Sequence, residues 1–168
     1  GLSWFGGFFG GVSSGLWALR RRRIPILPAL AAAAPALAIG HAIGRIGCFL
    51  VGDDYGRPTD LPWGVAFPQG LPPTTVPVHP TQLYETAGLA VIAWVLIKWR
   101  RARVADAVLF GRYLILAGSL RFLIEFVRVN APVVGPFTLA QLFSAAIVII
   151  GLWLIQSERK PRQGRVAR

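Results

Sequence analysis

Three charged residues stand where an apolar segment should carry none. Arg121, Glu125 and Arg128 fall at i, i+4 and i+7 in RFLIEFVR, so on a helix they share one face. A charge inside a membrane segment is costly unless it faces a cavity or a partner. Two readings are open: an Arg–Glu pair that fixes helix packing, or an anion site in which Glu125 orients an arginine. Arg128 lies close enough to the segment's end to snorkel to the headgroups. Arg45 sits between Gly44 and Gly47 in GRIGCFLVGDDYGRPT, 44–59. Glycines beside an arginine let backbone N–H groups approach a phosphate while the guanidinium binds it bidentately. Gly52 and Gly56 bracket Asp53, Asp54 and Tyr55, which reads as a tight turn, with a solvated surface turn as the plain alternative. Arg45 and Arg121 both fall at outer ends of apolar segments, where they can converge.

A second polar stretch is VHPTQLYE, 78–85. His79 is either an acid/base or a cap bonded to the loop, and Gln82, Tyr84 and Glu85 can organise a polar network around it. Pro80 suits a first helical turn. His41 has apolar neighbours and reads as a packed residue. Cys48 is the sole cysteine, which excludes an intramolecular disulfide and a multi-cysteine metal site. With no base nearby in sequence, it reads as a small buried hydrophobe rather than a nucleophile. Asp53 and Asp54 are adjacent, so they are expected to point apart rather than form a dyad. Arg112 is expected to snorkel or to pair with Asp106. No metal or cofactor is expected, since two histidines are too few for a metal site.

The elements that must position these residues are hydrophobic. The chain has 168 residues, 54% hydrophobic and only 15% charged, with a mean hydropathy of +0.55. A soluble domain carries about 25% charged residues. The net charge of +11 does not read as a nucleic-acid face. Most of the positive residues fall in three blocks, Arg20 to Arg23, Lys98 to Arg103 and Arg159 to Arg168, each just after an apolar run. That is the positive-inside pattern.

Five spans are expected, at 1–19, 26–43, 81–97, 105–127 and 138–156. The first carries Gly6, Gly7, Gly10, Gly11 and Gly15 at helical spacing, a small-residue face for close packing. Pro35 should kink the second. Residues 44–80 hold seven prolines, so they read as an irregular or short extended outer loop. The expected fold class is an all-α polytopic membrane helix bundle. One transmembrane domain covers 1–157, with a basic cytoplasmic tail at 158–168. The chain opens on Gly1 inside an apolar segment, which points to preceding helices.

GRIGCFLVGDDYGRPT, HPTQLYE at 79–85 and RFLIEFVR at 121–128 together resemble the bacterial prolipoprotein diacylglyceryl transferases, in order and over about the whole chain. The resemblance implies the later five helices of a seven-helix inner-membrane enzyme. It implies transfer of a diacylglyceryl group from phosphatidylglycerol to the lipobox cysteine thiol of a prolipoprotein, with glycerol phosphate released. The partners it implies are phosphatidylglycerol, the lipobox peptide and the bilayer, with no nucleic acid. By motif position, Arg45 and Arg121 hold the lipid phosphate. Gly56, Gln82, Tyr84 and Glu85 line the headgroup site, and His79 and Glu125 join the two arginines as catalytic candidates.

Displacement at a glycerol carbon needs a stabilised leaving phosphate, which two arginines supply, and a deprotonated thiol. Several positions depart from the family pattern. Phe5 replaces a His before Gly6 and Gly7. Cys48, Val51 and Asp53 replace Asn, Asn and Glu, Thr81 replaces Ser, and Ala117 replaces a Tyr. These departures leave room for a non-catalytic or altered homologue that binds anionic lipid. A small anion transporter or channel subunit lined by Arg45 and Arg121 is the third reading.

Overall fold

Long uncharged runs with small residues at three- and four-residue spacing make helices that must bury one face against each other. The computed structural model describes residues 2–130 and 133–159. The side chain of Phe5 and the tail from 160 onward lie outside the described residues. Five α-helices are present: α1 (Leu2–Arg21), α2 (Ile26–Val51), α3 (Thr81–Arg101), α4 (Asp106–Ile124) and α5 (Leu139–Arg159). Three stretches, Ile26–Val51, Asp106–Val127 and Leu139–Glu158, are long and apolar enough to cross a membrane. The glycines, serines and tryptophans of α1 dilute its hydropathy, and the polar start of α3 does the same there.

Ala31, Ala34, Ala38 and Ala42 form a buried stripe along α2. Against it pack Ile92, Ala93 and Leu96 of α3 and Leu109 of α4. Arg45 continues the stripe by one more step and is buried with it. The α4–α5 seam is closer still. A Cβ on Gly111 would stand 2.7 Å from the Gly151 carbonyl oxygen, and one on Gly151 would stand 2.6 Å from that of Gly111. Only glycine lets the two backbones approach this closely. By contrast, a Cβ on any of Gly6, Gly7, Gly10, Gly11 or Gly15 meets nothing within 4 Å. The expected packing face of the first span is therefore open.

The second span runs about two turns past its expected end at 43. Gly44 and Gly47 do not stop it, because Arg45 between them is buried and paired with Glu85 and no proline follows until Pro58. It stops at Gly52, in the left-handed region at φ 73°, whose N–H donates to the carbonyls of Cys48 and Phe49, a glycine C-cap. The outer loop therefore begins at 52, not 44. Within it, β1 (Val65–Phe67) and β2 (Thr74–Val78) pair antiparallel. The fourth span divides at its far end: Glu125–Val127 tighten into a 3-10 turn and Arg128 is extended.

Candidate active site

Six charged side chains close into a ring where α2, α3 and α4 end together. Arg45 Nη1 lies 2.9 Å from Asp54 Oδ2, and Arg45 Nε meets Glu85 Oε2. Glu85 Oε1 stands 3.7 Å from Arg121 Nε, and Arg121 Nη1 is 2.6 Å from Glu125 Oε2. Glu125 Oε2 is 3.8 Å from Arg128 Nε, and Arg128 Nη2 returns to Asp54 Oδ1 at 2.6 Å. Three arginines thus alternate with three carboxylates, and the ring is balanced when all are ionised. Arg45 and Arg121 do converge, and the group they share is Glu85.

Each position follows from local structure. The alanine stripe turns Arg45 inward at the end of α2. Glu85 lies one turn into α3, buried to 3% exposure. Arg121 and Glu125 are an i,i+4 pair. Glu125 Oε1 also accepts from Asn130 Nδ2 and from Thr138 Oγ1, both at 2.7 Å. Thr138 is itself fixed at the start of α5: its N–H donates to Gln141 Oε1, and its hydroxyl accepts from the Gln141 N–H, a reciprocal capping box.

Asp54 sits at φ 60°, a strained conformation for a residue with a side chain, though one that Asp tolerates better than most. Its backbone oxygen accepts from Thr81 Oγ1 and Arg128 Nη1. Partial burial alone would push the Asp54 carboxyl up, but the Arg128 and Arg45 guanidinium groups hold it below its ordinary value.

The ring is closed at Arg45 and Arg128, whose side chains are 9% and 10% exposed, and open at Arg121, 28% exposed, and at Asp54, 48% exposed. Arg45 Nη2 is buried with no hydrogen-bond acceptor among the described residues. An unpaired buried guanidinium donor is costly.

Several expectations change. Arg128 does not snorkel: the 3-10 turn carries it off the helix face and onto Asp54. Asp53 and Asp54 do not point apart, since their carboxylates and the Cys48 thiol bring ligand-type atoms within 4.8 Å of one another. Arg45 and Arg128 already bind Asp54 there, which competes with a cation. The Cys48 sulfur accepts from Arg45 Nη1 at 3.5 Å. His41 is exposed rather than packed. Arg112 makes no ion pair with Asp106 among the described residues; its guanidinium stacks 4.4 Å over the Trp99 ring.

Four site candidates stand outside the ring as supports. Gln82, fully buried, donates to the Asp53 carbonyl at 2.6 Å. Tyr84 Oη accepts from Trp63 Nε1 at 2.7 Å and is 3.3 Å from His79 Nδ1. His79 pins the loop through its backbone, its carbonyl accepting from Gly56 and its N–H donating to Arg57. Gly56, expected against a headgroup, uses its N–H on His79 and is buried. A Cβ there would come within 2.5 Å of the Val127 carbonyl oxygen, so glycine is required by packing.

Asp54, Arg128, Asn130 and Thr138 are the residues that sequence reasoning left out of the site. The T-x-x-Q capping box was the available signal for Thr138; Asn130 carries none.

Residues 1–157 match the family model described as prolipoprotein diacylglyceryl transferase. A phosphatidylglycerol–prolipoprotein diacylglyceryl transferase of Geobacter sulfurreducens is 38% identical over 95% of this chain and 63% of its own length. The protein of the same name from Pseudomonas putida F1 is 34% identical over 96% of this chain and 63% of its own. That of Vibrio vulnificus is 34% identical over 92% of this chain and 58% of its own. The chain thus spans less than two thirds of the length of these relatives. The chain belongs to the prolipoprotein diacylglyceryl transferase family.

Proposed function

We propose that the protein of which this chain forms at least part transfers the diacylglyceryl group of phosphatidylglycerol to the lipobox cysteine thiol of prolipoproteins. The names of its relatives state phosphatidylglycerol, prolipoprotein and the diacylglyceryl group. The observation that carries the reading is the convergence of Arg45 and Arg121 on Glu85, with a buried donor of Arg45 left unpaired.

In this reading the lipid phosphodiester enters at Arg121, the exposed arginine, and exchanges for the long Arg121–Glu85 contact. Arg45 and Arg121 then bear the charge that develops on the leaving phosphate oxygen. Glu85 and Glu125 hold the two guanidinium groups in place before the lipid arrives. Gly56, Gln82, Tyr84 and His79 shape the loop over the site. The site faces the outer leaflet of the bacterial inner membrane, with the basic blocks cytoplasmic.

The test is transfer from phosphatidylglycerol to a lipobox peptide by the full-length protein. Arg45→Ala and Arg121→Ala should each lower transfer by roughly 100-fold or more, while the protein still inserts. Full activity in both variants would remove the phosphate clamp. One observation favours a second reading. The ring is already charge-balanced, so it can bind and release anionic lipid without chemistry. Lipid binding by a wild-type protein that transfers nothing would select that reading.

A further inference from the structure

Attack by a thiol on carbon requires somewhere for the thiol proton to go. The ring carboxylates are already engaged, because Asp54, Glu85 and Glu125 each lie between two guanidinium groups. Tyr84 and His79 are engaged with each other on the loop.

His41 is placed differently. It lies on α2 one turn before Arg45, on the same face. Its side chain is exposed, and no described side chain is hydrogen-bonded to its ring. It lies within electrostatic range of Arg45 on α2, Glu85 on α3 and Arg121 on α4. These are three consecutive members of the ring, and they include its most exposed arginine. The carbonyl of the next residue, Ala42, accepts from Thr86 Oγ1 of α3, so the imidazole stands one turn from Arg45 and level with the first turns of α3, where Glu85 lies.

Resting on the transferase reading, we infer that His41 is the proton acceptor for the incoming thiol. The S–H proton moves to the imidazole as the sulfur bonds to the glycerol carbon. The bond from that carbon to the phosphate oxygen breaks, and its electron pair leaves on the oxygen held by Arg45 and Arg121. The proton then passes from the imidazolium to the departing phosphate monoester or to solvent, which restores the neutral ring.

The test compares wild type, His41→Ala and His41→Gln in the full-length protein, with phosphatidylglycerol vesicles and a lipobox peptide. Rates are followed across the imidazole range, about pH 5 to 8. Both variants should lose roughly 100-fold or more in kcat, with KM for phosphatidylglycerol little changed and the acid limb of the pH profile gone. Added imidazole should restore part of the rate to His41→Ala. Wild-type kcat in His41→Gln, which keeps a polar side chain but takes up no proton, would overturn the assignment. So would an unchanged acid limb in either variant. Absence of transfer by the wild type overturns the parent reading, and this assignment with it.

Discussion

The α4–α5 seam and the ion ring both bring helices together, by opposite means. The seam uses glycine, so that Gly111 and Gly151 backbones nearly touch, and among the described residues it leaves no buried side-chain polar atom unpaired. The ring uses six charges, several of them deeply buried, and leaves Arg45 Nη2 without an acceptor among the described residues. A buried ion pair is a weak way to gain stability, since apolar packing of the same volume often does as well. The ring therefore makes better sense as a binding device than as a fastener. The contrast predicts that seam substitutions change stability and ring substitutions change chemistry.

Glu85 is where this division is most severely tested, because it belongs to both roles. Glu85→Gln removes the charge shared by Arg45 and Arg121. It should cost about 3–5 kcal/mol, the usual penalty for stranding a buried charge, read as a lowered thermal midpoint in detergent. A bound anionic lipid should recover part of that loss. Arg45→Ala and Arg121→Ala should come next, with transfer down by about 100–1000-fold. Similar losses from two residues so far apart in sequence would mark them as one unit.

Gly151→Leu should do the reverse. It overpacks the seam at a cost of about 1–3 kcal/mol, lowering the thermal midpoint while leaving KM for phosphatidylglycerol near wild type in the protein that remains folded. A loss of lipid binding with unchanged stability would break the comparison. The smallest effect is expected at Asp54. Its carboxyl is held below the ordinary aspartate value, so its stabilisation is present above that value, about pH 3.9. It is lost as pH falls through the lowered one. Hydrogen exchange of the loop after Gly52 should rise over that acid range in wild type, and Asp54→Asn should already exchange faster at neutral pH.

The parts of the site that were legible in sequence are those whose position depends on one helix. Arg45 continues an alanine stripe, and Arg121 and Glu125 are an i,i+4 pair on an apolar segment, so their inward placement follows from periodicity. The end of α2 lies two turns beyond 43 because Arg45, the charge that opens the polar motif, is buried and paired with Glu85 and so does not end the helix. The stop is made by Gly52, where a left-handed conformation is required. Arg128 was misplaced because helical spacing was extended past Glu125, where the backbone tightens and then straightens. Asp54 looked like a solvated turn residue. Its role depends on Arg128, 74 positions later, and no local pattern carries that pairing. Asn130 reaches Glu125 from just past the 3-10 turn, and Thr138 from the returning chain at the start of α5.

The central claim is that Arg45 and Arg121 form one phosphate clamp. Retention of phosphatidylglycerol by the full-length protein, read by native mass spectrometry, tests it most directly. Wild type should retain the lipid, and Arg45→Ala, Arg121→Ala and the double variant should lose it to the same extent. Equal retention by all four proteins would contradict the account.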